Sequence, residues 1–276
     1  MTAAPVLETA NLRIPRLGLG TWPMKGEECA AAVARAIALG YRHVDTAQMY
    51  GNEADVGAGI ARSGIARGDL FLTTKVWWDQ LTPDGIRRAA DASLKKLGTG
   101  YLDLYLIHWP APDMDLDAAL RTLAALKRDG QAKAVGVANF PSALLRRAVE
   151  SGMVPIACNQ VEYHVYLSQE PVLTLCRQHG VALTAYTPVA KASVNDDPVI
   201  ARIAAKHGAT PVQVALAWLL AQDGVVAIPK SAREEGQAAN LAACALRLDA
   251  EDLASIKALP KNRRMVNPGF APAWDA

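Results

Sequence analysis

Cysteine is scarce in this chain of 276 residues, and its four cysteines, Cys29, Cys158, Cys176 and Cys244, lie too far apart to make a C-x-x-C pair. That spacing excludes the usual zinc and dithiol patterns and points to free thiols in a reducing compartment. Net charge is also scarce: 29 basic against 27 acidic residues leave a formal +2. A protein so nearly neutral carries no general polyanion footprint, so nucleic acid is not expected as a partner. No apolar run nears the roughly 18 residues of a membrane span, so no membrane is expected either. The opening Met1-Thr-Ala-Ala-Pro-Val-Leu-Glu8 lacks the basic and apolar regions of a secretory signal. The expected place is the cytoplasm. There is no H-E-x-x-H or matched carboxylate spacing, so no metal site is expected; His43, His164, His179 and His207 read as structural or exposed. Linkers, low-complexity tracts and composition breaks are missing too, which predicts one domain over residues 1–276.

What is present is a regular alternation. Short apolar runs with strand character occur at Leu17–Leu19, Arg42–Val44, Leu70–Thr74, Leu102–Ile107, Ala134–Val137, Ile156–Asn159, Val181–Ala185 and Val225–Ile228. Between them lie Glu27–Leu39, Ala54–Ser63, Pro83–Leu97, Leu116–Asp129, Pro141–Ser151, Glu170–His179 and Pro211–Gln222, with apolar residues at helical spacing. Thr82-Pro83 reads as an N-cap with proline at the first helical position, closed by Gly98. Thr210-Pro211-Val212-Gln213 and Ser231-x-x-Glu234 read as capping boxes. Eight strands alternating with helices predict an α/β fold of parallel βαβ units, and at this length a closed (β/α)8 TIM barrel. The first strand–helix turn, Gly18-Leu19-Gly20-Thr21-Trp22, lacks G-x-G-x-x-G, which counts against a Rossmann domain.

The strand ends carry the chemistry. Successive runs end in Asp45, Lys75, His108, Asn139, Gln160, Tyr186 and Lys230. In a barrel these ends converge on the face where active sites of this fold sit. Tyr50 follows Asp45 in the next loop, so Asp45, Tyr50, Lys75 and His108 can share one pocket. A buried ammonium beside a Tyr hydroxyl is expected to lower the phenol pKa, with Asp45 holding the ammonium charged. Such a Tyr donates a proton, His108 orients a carbonyl, and hydride must come from a nicotinamide cofactor because no side chain supplies it.

These residues stand in motifs that identify a resemblance: Gly18–Trp22, Asp45–Glu53, Thr73-Thr74-Lys75-Val76-Trp77, Leu106-Ile107-His108-Trp109-Pro110, Gly136–Phe140, Asn159–His164 and Ile228-Pro229-Lys230-Ser231. The chain resembles the aldo-keto reductase superfamily over about residues 16 to 245, and is similar to its bacterial 2,5-diketo-D-gluconic acid reductase branch of B type. The C-terminal Asn262–Val266 and Pro272–Asp275 look like that branch. The resemblance implies an NADPH-dependent reductase of aldehydes and ketones, monomeric by family default, acting on small polar dicarbonyls such as 2,5-diketo-D-gluconate or methylglyoxal. It implies Asp45, Tyr50, Lys75 and His108 as catalytic tetrad, with Tyr50 the general acid. For the cofactor it implies Gly20, Thr21, Asp45, Asn139, Gln160, Tyr186, Lys230, Ser231, Arg233 and Asn240.

The sequence departs from the family at Ala138, where a Ser is usual, at Gly236, where an Arg reads the adenosine 2′-phosphate, and at Ala239, where a Glu is usual. A substrate wall is expected from Trp22 and Trp109, with Trp77 and Trp78 equally explained by loop packing. Two other readings stand beside the reductase: an NADPH-binding redox-sensing regulatory subunit without significant turnover, and a phosphate-sugar lyase or isomerase on the same barrel.

Overall fold

A computed structural model describes residues 4–275; residues 1–3 and 276, part of the expected domain and of the opening segment, lie outside the described residues. The chain opens with an antiparallel hairpin, β1 (Val6–Thr9) and β2 (Leu12–Pro15). Strands and helices then alternate: β3 (Leu19–Gly20), α1 (Gly26–Leu39), β4 (His43–Asp45), α2 (Glu53–Ser63), β5 (Phe71–Val76), α3 (Pro83–Leu97), β6 (Leu102–Ile107) and α4 (Leu116–Arg128). They continue through β7 (Ala132–Ala138), α5 (Ser142–Glu150), β8 (Ile156–Glu162), α6 (Glu170–Gln178), β9 (Ala182–Tyr186), α7 (Pro198–Lys206), α8 (Pro211–Leu220), β10 (Val225–Ala227), α9 (Glu234–Ala242) and α10 (Ala250–Lys257).

Strands β3 to β10 pair in parallel and in chain order. The ring closes where Leu17 pairs with Ala227: the Gly18 amide donates to Ala227 O at 2.9 Å, and the Ala227 amide donates to Arg16 O at 2.8 Å. This is the (β/α)8 barrel expected from the alternation. Its interior is filled with small and medium side chains, among them Ala134, Ala138, Ala157, Ala182, Leu104, Leu106 and Val226. Leu12 and Ile14 of the hairpin join that cluster and plug the barrel at the N-terminal ends of the strands. A Cβ at Gly136 would collide with the Cys158 carbonyl oxygen, so only glycine lets β7 and β8 approach where their register shifts.

Local signals explain the helix ends. Thr82 accepts from the Gly85 amide and Gly98 ends α3 in the left-handed region. Thr210 and Gln213 form the reciprocal capping box of α8. The expected box at Ser231 and Glu234 does not form. Arg233 is the N-cap of α9 instead, because Ser231 Oγ turns back to accept from the Arg233 amide at 3.2 Å. Three elements were not expected: the β1–β2 hairpin, α7 and α10. Asp197 caps α7 ahead of Pro198, and Asp249 with Asp252 forms a capping box on α10. Both helices pack with α8 in a satellite core around Ile200, Ile203, Val214 and Ile256.

Candidate active site

The C-terminal ends of the strands open into a cavity of about 450 Å³. Its floor is built from β4. His43, Val44 and Asp45 are all buried, and Asp45 stands level with Gly20 of β3 and Thr73 of β5. Beyond Asp45 the chain makes a 3₁₀ turn over Gln48–Tyr50, which ends in the left-handed region at Gly51. Asn52 fixes that turn from beneath. Its buried amide donates to Thr21 O and Met24 O at 3.2 and 2.9 Å and accepts from Thr46 Oγ1 at 2.7 Å. Glu53, also buried, accepts from Thr74 Oγ1 at 2.7 Å. The loop carrying Tyr50 is thus tied to β3 and β5 by buried polar groups, though Glu53 Oε2 has no hydrogen-bond partner and only Lys96 Nζ near it, at 3.9 Å.

Lys75, fully buried on β5, donates to Asp45 Oδ1 at 2.5 Å and to Thr46 O at 2.8 Å, and its Nζ lies 3.5 Å from Tyr50 Oη. Three contacts match the three protons of an ammonium. The other Asp45 oxygen accepts from Gln160 Nε2 at 2.7 Å. Burial opposes the charge of Lys75, but Asp45 and Tyr50 outweigh it and hold the ammonium above its ordinary pKa. Tyr50 responds differently from expectation. Desolvation is the largest influence on it and raises its pKa; Lys75 pulls it down as expected, without reversing the sign. The phenol therefore keeps its proton at neutral pH. His108, just past β6, sits edge-on to Tyr50 with ring centroids 5.6 Å apart. Burial and the nearby Lys75 push its pKa well below the usual histidine value, leaving a neutral imidazole. Its Nδ1 is buried without a partner.

Across the cavity, Asn139 holds a left-handed backbone, φ 61°, directly after β7. Its amide nitrogen donates to His108 O at 2.9 Å and its oxygen accepts from Tyr186 Oη at 2.8 Å. One more proton and one more lone pair remain on that carboxamide. Of the other expected cofactor residues, Gly20, Thr21, Asp45, Gln160, Tyr186 and Lys230 also line the cavity. Ser231, Arg233 and Asn240 do not; they lie on the β10–α9 turn and on α9, continuing from Lys230. A Cβ at Gly236 would strike Ser231 Oγ, so this serine closes over the position.

The tryptophans divide. Trp22, half exposed, and the buried Trp109 line the cavity, and Trp22 lies 5.2 Å from the Tyr50 ring. Trp77 and Trp78 do not line it. Both pack on Phe270, and Trp77 backs His108 at 5.1 Å. The lining also includes Met49 and Ile228, which the sequence did not single out, and Thr187, Pro188, Val189, Lys191, Ala192 and Val266, from the loop after β9 and the C-terminal tail where specificity was expected to rest without any residue being named. Thr187–Ala192 directly follows a strand end, so the convergence rule covers it; Val266, on an irregular tail, has no such local signal.

A profile of the Aldo/keto reductase family matches residues 16–261. The chain is 45% identical over 268 residues to the methylglyoxal reductase DkgB of Salmonella typhi, covering 96% of this chain and 100% of that protein. It is 41% identical to an aldo-keto reductase of Mycolicibacterium smegmatis, over 91% of this chain and 92% of that one. Among solved structures, one provisionally assigned as a 2,5-diketo-D-gluconic acid reductase B superposes with a TM-score of 0.96 at 42% identity, covering 98% of this chain and 97% of its own. A Bombyx mori aldo-keto reductase in complex with NADP superposes with a TM-score of 0.91 at 31% identity, covering 99% and 100%.

Proposed function

The chain belongs to the Aldo/keto reductase family, and from that premise we propose that it reduces small polar dicarbonyls, methylglyoxal and 2,5-diketo-D-gluconate among them, with NADPH. The observation that carries this reading is the chain Gln160–Asp45–Lys75–Tyr50, buried up to Lys75 and ending in a protonated phenol on the wall of the cavity. Bound NADPH supplies hydride to the carbonyl carbon. The residues of the chain do the rest.

Tyr50 is the proton donor to the carbonyl oxygen. As that oxygen takes up charge, Lys75 stabilises the phenolate left on Tyr50, an interaction strengthened by the dry surroundings. Asp45 keeps Lys75 charged and oriented, and Gln160 keeps Asp45 oriented. His108, neutral, aims a ring N–H at the same oxygen and fixes the carbonyl against Tyr50. Trp22 and Trp109 cover the substrate and reduce the water around it.

The cavity fits a nicotinamide. The spare proton and lone pair of Asn139 suit a carboxamide, and Tyr186 offers an aromatic face whose hydroxyl is already occupied. Gly20 and Thr21 line the same cavity, and Lys230, Ser231, Arg233 and Asn240 would hold the 2′-phosphate. The NADP complex of a relative and the name of the methylglyoxal reductase support this reading. The experiment follows absorbance at the nicotinamide band on adding methylglyoxal, then diketo sugars and keto acids. Carbonyl-dependent loss of NADPH supports the proposal; NADPH binding without turnover would favour a sensor and sink it.

A further inference from the structure

The last strand position of β8 holds a carboxylate that the hydride reaction does not use. Glu162 lies two residues beyond Gln160, so the two side chains share one face of the strand. It is completely buried. Its Oε1 accepts from the Met265 amide at 2.7 Å and from His164 Nε2 at 2.9 Å, and its Oε2 accepts from the Val266 amide at 2.9 Å. The Tyr166 amide donates to His164 Nδ1 at 3.3 Å, which puts the ring proton on Nε2 and makes His164 a donor to the carboxylate. Arg264 stands 4.0 Å from Oε2.

The two backbone amides belong to a tail without helix or strand, and that tail reaches the cavity wall at Val266. Phe270 then packs between Trp78, at 5.1 Å, and Trp109, at 5.6 Å. We infer that Glu162 is a positioning residue for carbonyl specificity: by gripping the amides of Met265 and Val266 it sets where Val266 lines the cavity and where Phe270 backs Trp109 on the cavity wall. This rests on reading the cavity as a carbonyl pocket. Three donors converge on one side chain, so only an acceptor at both oxygens satisfies them. Glutamine presents an NH₂ group at one oxygen position and sets a donor against a donor.

The test compares full-length wild type, Glu162→Gln, Phe270→Ala and the double variant, with phenylglyoxal as a bulky carbonyl probe. Glu162→Gln is expected to raise KM on the order of tenfold, the loss expected for one charge-assisted hydrogen bond. Its kcat should stay within about threefold, and NADPH affinity, read by fluorescence quenching, within about twofold; both bounds lie well inside a one-decade change. Because both changes act through the same wall, the double variant should show a KM little above that of the worse single variant. Additive effects, an unchanged KM, or a fall in kcat alone would overturn the inference.

Hydrogen exchange of the wild type provides a check that needs no variant. The amides of Met265 and Val266 should exchange more slowly than those of Gly269 and Phe270; equal rates would remove the anchor. Should wild type reduce no carbonyl at all, the proposed function fails, while the exchange pattern still decides whether Glu162 holds the tail.

Discussion

At Tyr50, burial and a neighbouring cation pull in opposite directions, and burial wins. The expectation from the residues alone gave Lys75 the right sign and missed the larger influence, because how dry a phenol sits is not visible in spacing. A raised pKa keeps the proton on Tyr50 at neutral pH but weakens it as an acid, so the pull of Lys75 on the forming phenolate is what favours transfer. His108 stays neutral far below its ordinary range for a similar reason, with burial first and Lys75 second. The pH profile of reductive kcat/KM should therefore be flat between about pH 6 and 9 and fall only as Tyr50 ionises beyond the ordinary phenol value near 10. A steep inflection near pH 6.5 would mean that His108 titrates in turnover and would contradict this assignment. Lys75→Met removes the one influence that lowers the Tyr50 pKa. It should shift the alkaline limb upward, cut kcat, and also lower the melting temperature, since Asp45 then loses its buried partner.

Among the elements, α10 shows how a late helix is held to the barrel. Asp252 caps its own helix and also meets Lys206 at 2.9 Å and His207 at 2.6 Å, both at the end of α7. Burial works against its charge, yet those partners bring its pKa down to about 2. A folded pKa below the unfolded value near 3.9 means that the carboxylate stabilises the fold above about pH 4 and that this contribution fades as pH falls toward 2. Asp252→Asn should cost about 1–3 kcal/mol at pH 7, or several degrees of melting temperature, and the gap from wild type should narrow below pH 4. An equal gap at pH 7 and pH 2.5 would show that the charge plays no part. The signals for this helix were local: Asp249-x-x-Asp252 is a capping pattern, and Asp197-Pro198 starts α7 as Thr82-Pro83 starts α3. Both extra helices were legible in the sequence, whereas the hairpin plug, made of two four-residue strands, offered little periodicity to read.

Over the whole molecule, the eight-strand alternation and the polar residue at nearly every strand end announced the barrel and its reactive face. Asp45, His108, Asn139 and Tyr186 stand at or just past strand ends as expected, whereas β5 runs one residue past Lys75 and β8 two residues past Gln160. What stayed hidden was the tail: Glu162 and Val266 are 104 residues apart, and an irregular segment carries no period that points to its docking place. Cofactor choice is also decided across elements. On the proposed reading Lys230 and Arg233 would offer cations to a 2′-phosphate, while Gly236, with Ser231 Oγ filling the space over it, offers none. NADPH should still be preferred over NADH, with a margin roughly ten- to a hundredfold smaller than in relatives that keep the arginine. Raising salt should increase KM for NADPH more than for NADH, since these contacts are exposed and screened. A Lys230→Met plus Arg233→Met variant that kept its NADPH preference would show that other residues read the phosphate.

The central claim is that Tyr50 delivers the proton in an NADPH-dependent carbonyl reduction, and steady-state oxidation of NADPH by methylglyoxal in wild type and Tyr50→Phe tests it most directly. The variant should bind NADPH as wild type does and lose kcat by about 10²–10⁴-fold. A variant within about threefold of wild-type kcat, a change of well under one decade in rate, would contradict it.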